Sequence, residues 1–352
     1  MKNGWKKIVG TMMVGCLAAA TVIGAADVIN KPETVSAAQS NPFQNEKLVD
    51  TTPIKVAAVS ADTERFNLKA GLIKADKITK EAKKAGAILV AFPEVWLPGF
   101  INGEPDPDGM PPKPFQKYID NSIEVGSKEW KALLKIADDN NVYLSMSFSE
   151  KNTKTKRLYM TQVLINPEGK VIDKRSKINP SGGERTYFSD VPMKDNLNVV
   201  NTALGRIGQL SCGEHFKPMM TFPMMAQAEN IHIASWPLNN PDNDGNFWFN
   251  YHLNMVNSSY YAQNSGAWVI APGIGKAAIF NGGGEIVAES DNRNSDFAIA
   301  EIDRAPFKKY VQFQNEWYSY NVLGLIEQNY KGPHKPKKPV ETLNQPNYTK
   351  FK

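Results

Sequence analysis

The chain has 352 residues with 41 Lys and Arg against 36 Asp and Glu, a formal net charge of +5, 41% apolar residues and two cysteines. That is enough length for a large core, and the composition is that of an ordinary globular protein with no need of disulfides. The charge is too mild for a nucleic-acid binder, and after the Gly/Ala-rich N-terminal stretch no later apolar run approaches the roughly 18 residues that a membrane span requires.

The first 37 residues read as a signal peptide. Basic "MKNGWKK" precedes apolar "IVGTMMVGCLAAATVIGAA", and Val35 and Ala37 supply the small-residue pattern a signal peptidase needs. The expected location is secreted or extracytoplasmic. Lipidation at Cys16 within "MVGC" is the rival, but "LAAATVIGA" after it stays apolar where a tether would turn polar. Cutting after Ala37 removes four basic and two acidic residues, which leaves 315 residues and a net charge of +3. With Cys16 gone, Cys212 is a buried inert thiol, an intermolecular link or a reactive group.

Residues 38–53 are polar and turn-rich, a linker. "IKVAAVSA" (54–61) predicts a buried strand. The helix after it carries Leu68, Leu72, Ala75, Ile78 and Ala82 on one stripe, with Gly86 past its end, and "AILVAFPE" is a second buried strand. This βαβ opening favours an α/β class. The Pro/Gly segment 101–115 is a surface loop or an active-site lid.

Further on, the pattern predicts a helix near 127–139 and strands in "NVYLSMSFSE", "RLYMTQVLI", "GRIGQLSC" and "NIHIASW". A helix within 246–264 and strands in "AWVIAP" and "DFAIAEID" follow. Two hairpins, "LINPEGKVIDK" and "AIFNGGGEIVAES", share one pattern and suggest two similar sheets. Residues 330–352, basic and Pro-rich, read as an extended, solvated tail.

Three junctions stand out. Cys212 follows a strand and precedes a Gly, as a thiol presented on a sharp turn would. Glu94 ends an apolar strand, either as a cap or as a poised base. Lys177 lies among other basic residues, where a solvated role is the ordinary one. His215, three residues from the cysteine, fits a packed or hydrogen-bonded histidine better than a protease partner. Four scattered histidines and one mature cysteine show no metal-ligand spacing, so neither metal nor cofactor is expected.

In that order and at those separations, "FPE", "KRSKINPSGGER" and "LSCGEH" resemble the nitrilase superfamily of carbon-nitrogen hydrolases over residues 54–325. The resemblance implies a domain over 54–329 folded as a four-layer αββα sandwich of two facing sheets. It implies a catalytic triad of Glu94, Lys177 and Cys212, with Glu184 as a second glutamate. The N–H of Gly213 would help to hold developing charge, Glu214 would support the turn, and Trp236 would bind substrate or support the site. The stretch from "CGEH" to "SWP" resembles the nitrile-hydrolysing branch, with two departures. Gly213 stands where that branch has Trp, a change that should enlarge or reshape the pocket, and the "GHYSRP" motif is represented only by "NEWYSYN" near Asn315.

The implied reaction hydrolyses a non-peptide carbon-nitrogen bond of a small molecule through a thioester. Nitrile to acid and ammonia comes first, and a primary amide or carbamoyl substrate is the alternative. An exported, catalytically silent binding protein on the same scaffold is the reading from another class. Pairing of subunits into a homodimer or larger homo-oligomer is also implied.

Overall fold

The computed structural model describes residues 52–102, 115–242, 247–304 and 343–351. The expected signal peptide and linker up to residue 51, loop residues 103–114, the "NEWYSYN" segment and tail residues 330–342 lie outside the described residues.

The elements in chain order are β1 (Ile54–Val59), α1 (Leu68–Lys84), β2 (Ala87–Ala91), α2 (Phe115–Asp120), α3 (Lys128–Asn140), β3 (Tyr143–Asn152), β4 (Arg157–Ile165) and β5 (Val171–Ser176). They continue with β6 (Val199–Thr202), β7 (Gly205–Ser211), α4 (Pro218–Met225), β8 (Ile231–Ser235), α5 (Tyr251–Ser265), β9 (Trp268–Ala271), β10 (Lys276–Phe280), β11 (Ile286–Asp291) and β12 (Phe297–Ile302). Two six-stranded sheets result, ordered β12-β1-β2-β3-β4-β5 and β11-β10-β9-β8-β7-β6.

Strand alternation builds the layers. In β1, Val56 and Ala58 point between the sheets, while Ala57 and Val59 join Ala75, Ile78 and Ala82 of α1 and Leu133 of α3 on the outside. In β10, Ala277 and Ile279 face inward, while Ala278 and Phe280 pack outward with Met255 and Tyr261 of α5. The result is helices, sheet, sheet, helices, the αββα sandwich the resemblance implies.

Local signals set the helix ends. Asn67 and Ser127 cap α1 and α3 by accepting from Ala70 N–H and Trp130 N–H. Gly86, at φ +99°, takes the left-handed position just past α1.

The two predicted hairpins are β4–β5 and β10–β11, one in each sheet. β6 was not expected; "VVNT" is half exposed and, among the described residues, pairs only with β7, so its pattern is weak.

One expectation is corrected. Part of the tail is docked and not solvated: Tyr348 is buried, its N–H donates to the Lys156 carbonyl at 2.9 Å, and Asn344 N–H donates to Asp190 at 2.7 Å.

Candidate active site

β2, β3 and β5 run in one direction, because β2 is parallel to β3 and β4 is antiparallel to both its neighbours. Glu94 and Lys177 therefore leave the same edge of the first sheet. Cys212 and Trp236 leave the carboxyl ends of the parallel strands β7 and β8 in the second. A crevice at strand carboxyl ends is where open α/β sheets bind ligands.

Two strained residues flank it. Cys212 sits at φ +41° and opens a short 3-10 turn, so the thiol rides an elbow. Val95, next to Glu94, is at φ +45°, which is costly for a β-branched residue, and its N–H is held by Ser147 Oγ at 2.8 Å.

The charged groups meet out of solvent. Lys177 Nζ donates to Glu94 Oε1 at 2.9 Å and to Glu184 Oε2 at 2.8 Å, and Glu94 and Lys177 are fully buried. Glu94 Oε2 is buried with no hydrogen-bond partner among the described residues. Two carboxylates thus share one ammonium, and burial is the larger effect on Glu94: with Glu184 adding repulsion, it outweighs Lys177 and pushes the Glu94 carboxyl up to about 8. Burial pulls Lys177 down, yet Glu184 and Glu94 outweigh it and hold the ammonium well above its usual range.

The thiol behaves differently from simple expectation. Lys177 and the Gly213 N–H do favour the thiolate, but burial and the Glu94 charge outweigh them and raise Cys212 well above its usual value. The sulfur rests as a thiol, and Glu94, a stronger base than an ordinary carboxylate, can take its proton once ionised.

Glu214 ties the junctions together. Its Oε1 accepts from Ile178 N–H at 3.0 Å, directly after Lys177, and its Oε2 accepts from Ser211 N–H at 2.8 Å, directly before Cys212. Arg175 Nη2 donates to the same carboxylate at 2.7 Å, and that guanidinium with the two N–H donors holds Glu214 ionised, below the usual carboxylate range, against the pull of burial. Arg175 also reaches Gln162, whose amide donates to Leu210 O and Ser235 Oγ, so β4, β5, β7 and β8 are stitched across the sandwich.

In front lies a cavity of about 900 Å³. Cys212, Gly213 and Glu184 line it, with Phe100, Phe216, Trp248 and Phe249 as an aromatic wall and Arg185 and Lys217 as cations. Arg185 is held by a bidentate pair with Asp190. Gly213 has no room to spare: a Cβ there would lie 2.6 Å from Ser181 Oγ, so the space a larger residue would use is filled from the Lys177 loop. Trp236 does not line the cavity. It stands behind it, accepting Glu94 N–H on its carbonyl at 3.1 Å and donating Nε1–H to Ser258 at 3.0 Å.

The profile of the carbon-nitrogen hydrolases matches residues 55–311. The chain belongs to the carbon-nitrogen hydrolase family. Among its relatives, a cyanide hydratase of Stereum hirsutum (strain FP-91666) is 41% identical over 188 residues, covering 53% of this chain and 50% of that protein. A cyanide hydratase of Leptosphaeria maculans is 37% identical over 234 residues, covering 63% of each. The chain thus matches between half and less than two thirds of the length of these relatives. Saccharomyces cerevisiae Nit3, a member of branch 10 of the nitrilase superfamily, superposes with a TM-score of 0.60 at 19% identity over 75% of this chain and 97% of its own, a likeness of fold.

For this family member, the five charged or nucleophilic residues singled out in sequence, Glu94, Lys177, Glu184, Cys212 and Glu214, are brought together. Arg175 was missed as one more cation in a basic stretch. Its signal is period two: Asp173, Arg175 and Lys177 alternate along one strand direction, and all three are buried.

Proposed function

We propose that the chain hydrolyses small nitriles to carboxylic acid and ammonia through a covalent intermediate on Cys212. The observation that carries this reading is the buried Glu94–Lys177–Glu184 cluster behind a cavity into which a strained elbow presents the one mature cysteine.

Glu94 takes the thiol proton as Sγ adds to the nitrile carbon, which avoids forming a free buried thiolate. The proton passes to the nitrile nitrogen, giving a thioimidate. Water then adds with Glu94 as base, and the tetrahedral intermediate expels ammonia, leaving a thioester. A second water, activated by the same carboxylate, releases the acid and restores the thiol. Lys177 and the Gly213 N–H stabilise the charge that develops, and one such donor is typically worth about 2.7–4 kcal/mol. A primary amide enters the same sequence at the tetrahedral stage.

A second outcome has support. If the first tetrahedral intermediate expels the thiol in place of ammonia, the product is the amide, and relatives 34–41% identical are cyanide hydratases by name. One experiment separates the outcomes: incubation with cyanide, alkyl and aryl nitriles, primary amides and carbamoyl compounds, scoring ammonia, acid and amide. Ammonia with acid supports hydrolysis and amide alone supports hydration. Silence across all classes overturns both and favours the silent binder.

We further propose export after cleavage at Ala37, supported by the leader, and assembly into a homodimer or larger oligomer, supported by family membership. Secreted material beginning at Ala38 and a solution mass above one chain are the expected results. An intact leader or a stable monomer at micromolar concentration would count against them.

A further inference from the structure

Behind the elbow, on the outer face of the second sheet, lies a buried polar chain that the reaction above leaves unused. His215 Nδ1 is 3.0 Å from the Cys212 carbonyl, and its Nε2 is 3.0 Å from His232 Nε2. His232 Nδ1 is 2.9 Å from Glu229 Oε2, and Tyr261 O–H donates to Glu229 Oε1. All four side chains are at most 4% exposed.

Proton counting fixes the direction of this chain. A carbonyl oxygen only accepts, so His215 carries its proton on Nδ1. The contact between the two Nε2 atoms needs one proton, and so does the contact between His232 and Glu229. Three contacts need three protons, whereas two neutral imidazoles beside a carboxylate supply two. Burial first, then His232, Arg175 and Lys177, keep His215 from charging. The third proton therefore resides between His232 Nδ1 and Glu229 Oε2. That leaves the buried group neutral overall, as burial demands.

The Cys212 carbonyl belongs to the same rigid peptide unit as the Gly213 N–H, which favours the thiolate and, in the proposed reaction, stabilises the developing charge. The carbonyl already receives His215 N–H at 2.9 Å. We propose that Glu229, His232 and His215 form a proton-sharing chain, polarised toward the Cys212 carbonyl, that orients the Gly213 N–H for the reaction. His215 and His232 are thus positioning residues. Their assigned effect on turnover rests on the hydrolase reading above, whereas the ring-proton assignment does not.

Two measurements test this. In ¹⁵N-histidine-labelled wild type, with peaks assigned by single His variants, His215 should show protonated Nδ1 and bare Nε2, and His232 should show protonated Nε2. A His215 protonated on Nε2 and bare at Nδ1 would overturn the proposal. In the second, Cys212 alkylation by iodoacetamide should slow by about tenfold in His215→Leu, less than the 10²–10³ lost when an oxyanion donor is deleted outright. His215→Asn, whose amide N–H can reach the same carbonyl, should recover most of the rate. Equal losses in both variants, or none in His215→Leu, would refute it. Alkylation needs no substrate, so its outcome is separate from that of the substrate panel.

Discussion

Glu94→Gln exposes the electrostatic logic of the site. Two buried carboxylates face one ammonium, so ionised Glu94 leaves the pocket with a surplus negative charge. Its carboxyl is raised from 4.5 to about 8, so the folded state holds the proton more tightly than the unfolded state. The stability linked to Glu94 is therefore fully present below pH 4.5 and lost as pH rises through 8, at about 1.4 kcal/mol per pH unit within that window. Between pH 5 and pH 8 the loss is about 4 kcal/mol at most, since Lys177 shares the coupling, or roughly 8 °C in Tm for a domain of this size. Gln cannot ionise, so Glu94→Gln should unfold near the wild-type temperature at pH 5 and several degrees above it at pH 8, while turnover is abolished. Differential scanning calorimetry across that range, with ammonia release on the same samples, checks both. A Tm difference that does not change with pH would show that Glu94 does not carry the raised carboxyl, and residual turnover near wild type would show that it is not the base.

Arg175→Met should cost about 3–5 kcal/mol, because it strands the buried Glu214 carboxylate, and should lower kcat as the Lys177 and Cys212 junctions loosen; urea melts and steady-state kinetics read the two effects. Gly213→Ala should lower activity by driving a Cβ against Ser181 Oγ, and Gly213→Ala/Ser181→Ala should regain much of it, since the remaining contact to Ser181 Cβ at 3.6 Å is ordinary; a double-mutant cycle measures the coupling. Tyr348→Ala should destabilise by about 3 kcal/mol, through loss of a buried aromatic ring, and should raise KM, because the docked tail holds Asp190 and Asp190 holds Arg185 at the cavity wall.

Much of the fold was legible because its central strands, such as β2 and β8, are short runs buried on both faces and because α1 carries one apolar stripe with Ala75, Ile78 and Ala82. β6 and the docked tail were not. β6 has one partner among the described residues and little burial, and Tyr348 is a single aromatic in a stretch whose prolines and lysines dominate its composition. In the site, Glu94, Lys177 and Cys212 show themselves at strand ends, yet their charge states depend on neighbours far apart in sequence. That Cys212 stays a thiol follows from burial and from Glu94, 118 residues away, and not from the local "SCGEH". Arg175 and the His215–His232–Glu229 chain are polar residues on strand faces and turns, and only the folded sandwich reveals which partners satisfy them.

In the proposed reaction Cys212 forms the covalent bond. Rapid acid quench of the protein during turnover of a nitrile or amide from the panel, followed by peptide mass spectrometry, tests it directly. In wild type an acyl or imidoyl adduct is expected on the peptide containing Cys212. No adduct and no turnover are expected in a Cys212→Ala protein whose melting temperature is nearly unchanged, since that truncation costs about 1 kcal/mol. Steady ammonia release from well-folded Cys212→Ala, or turnover by wild type with the adduct on another residue, would contradict it.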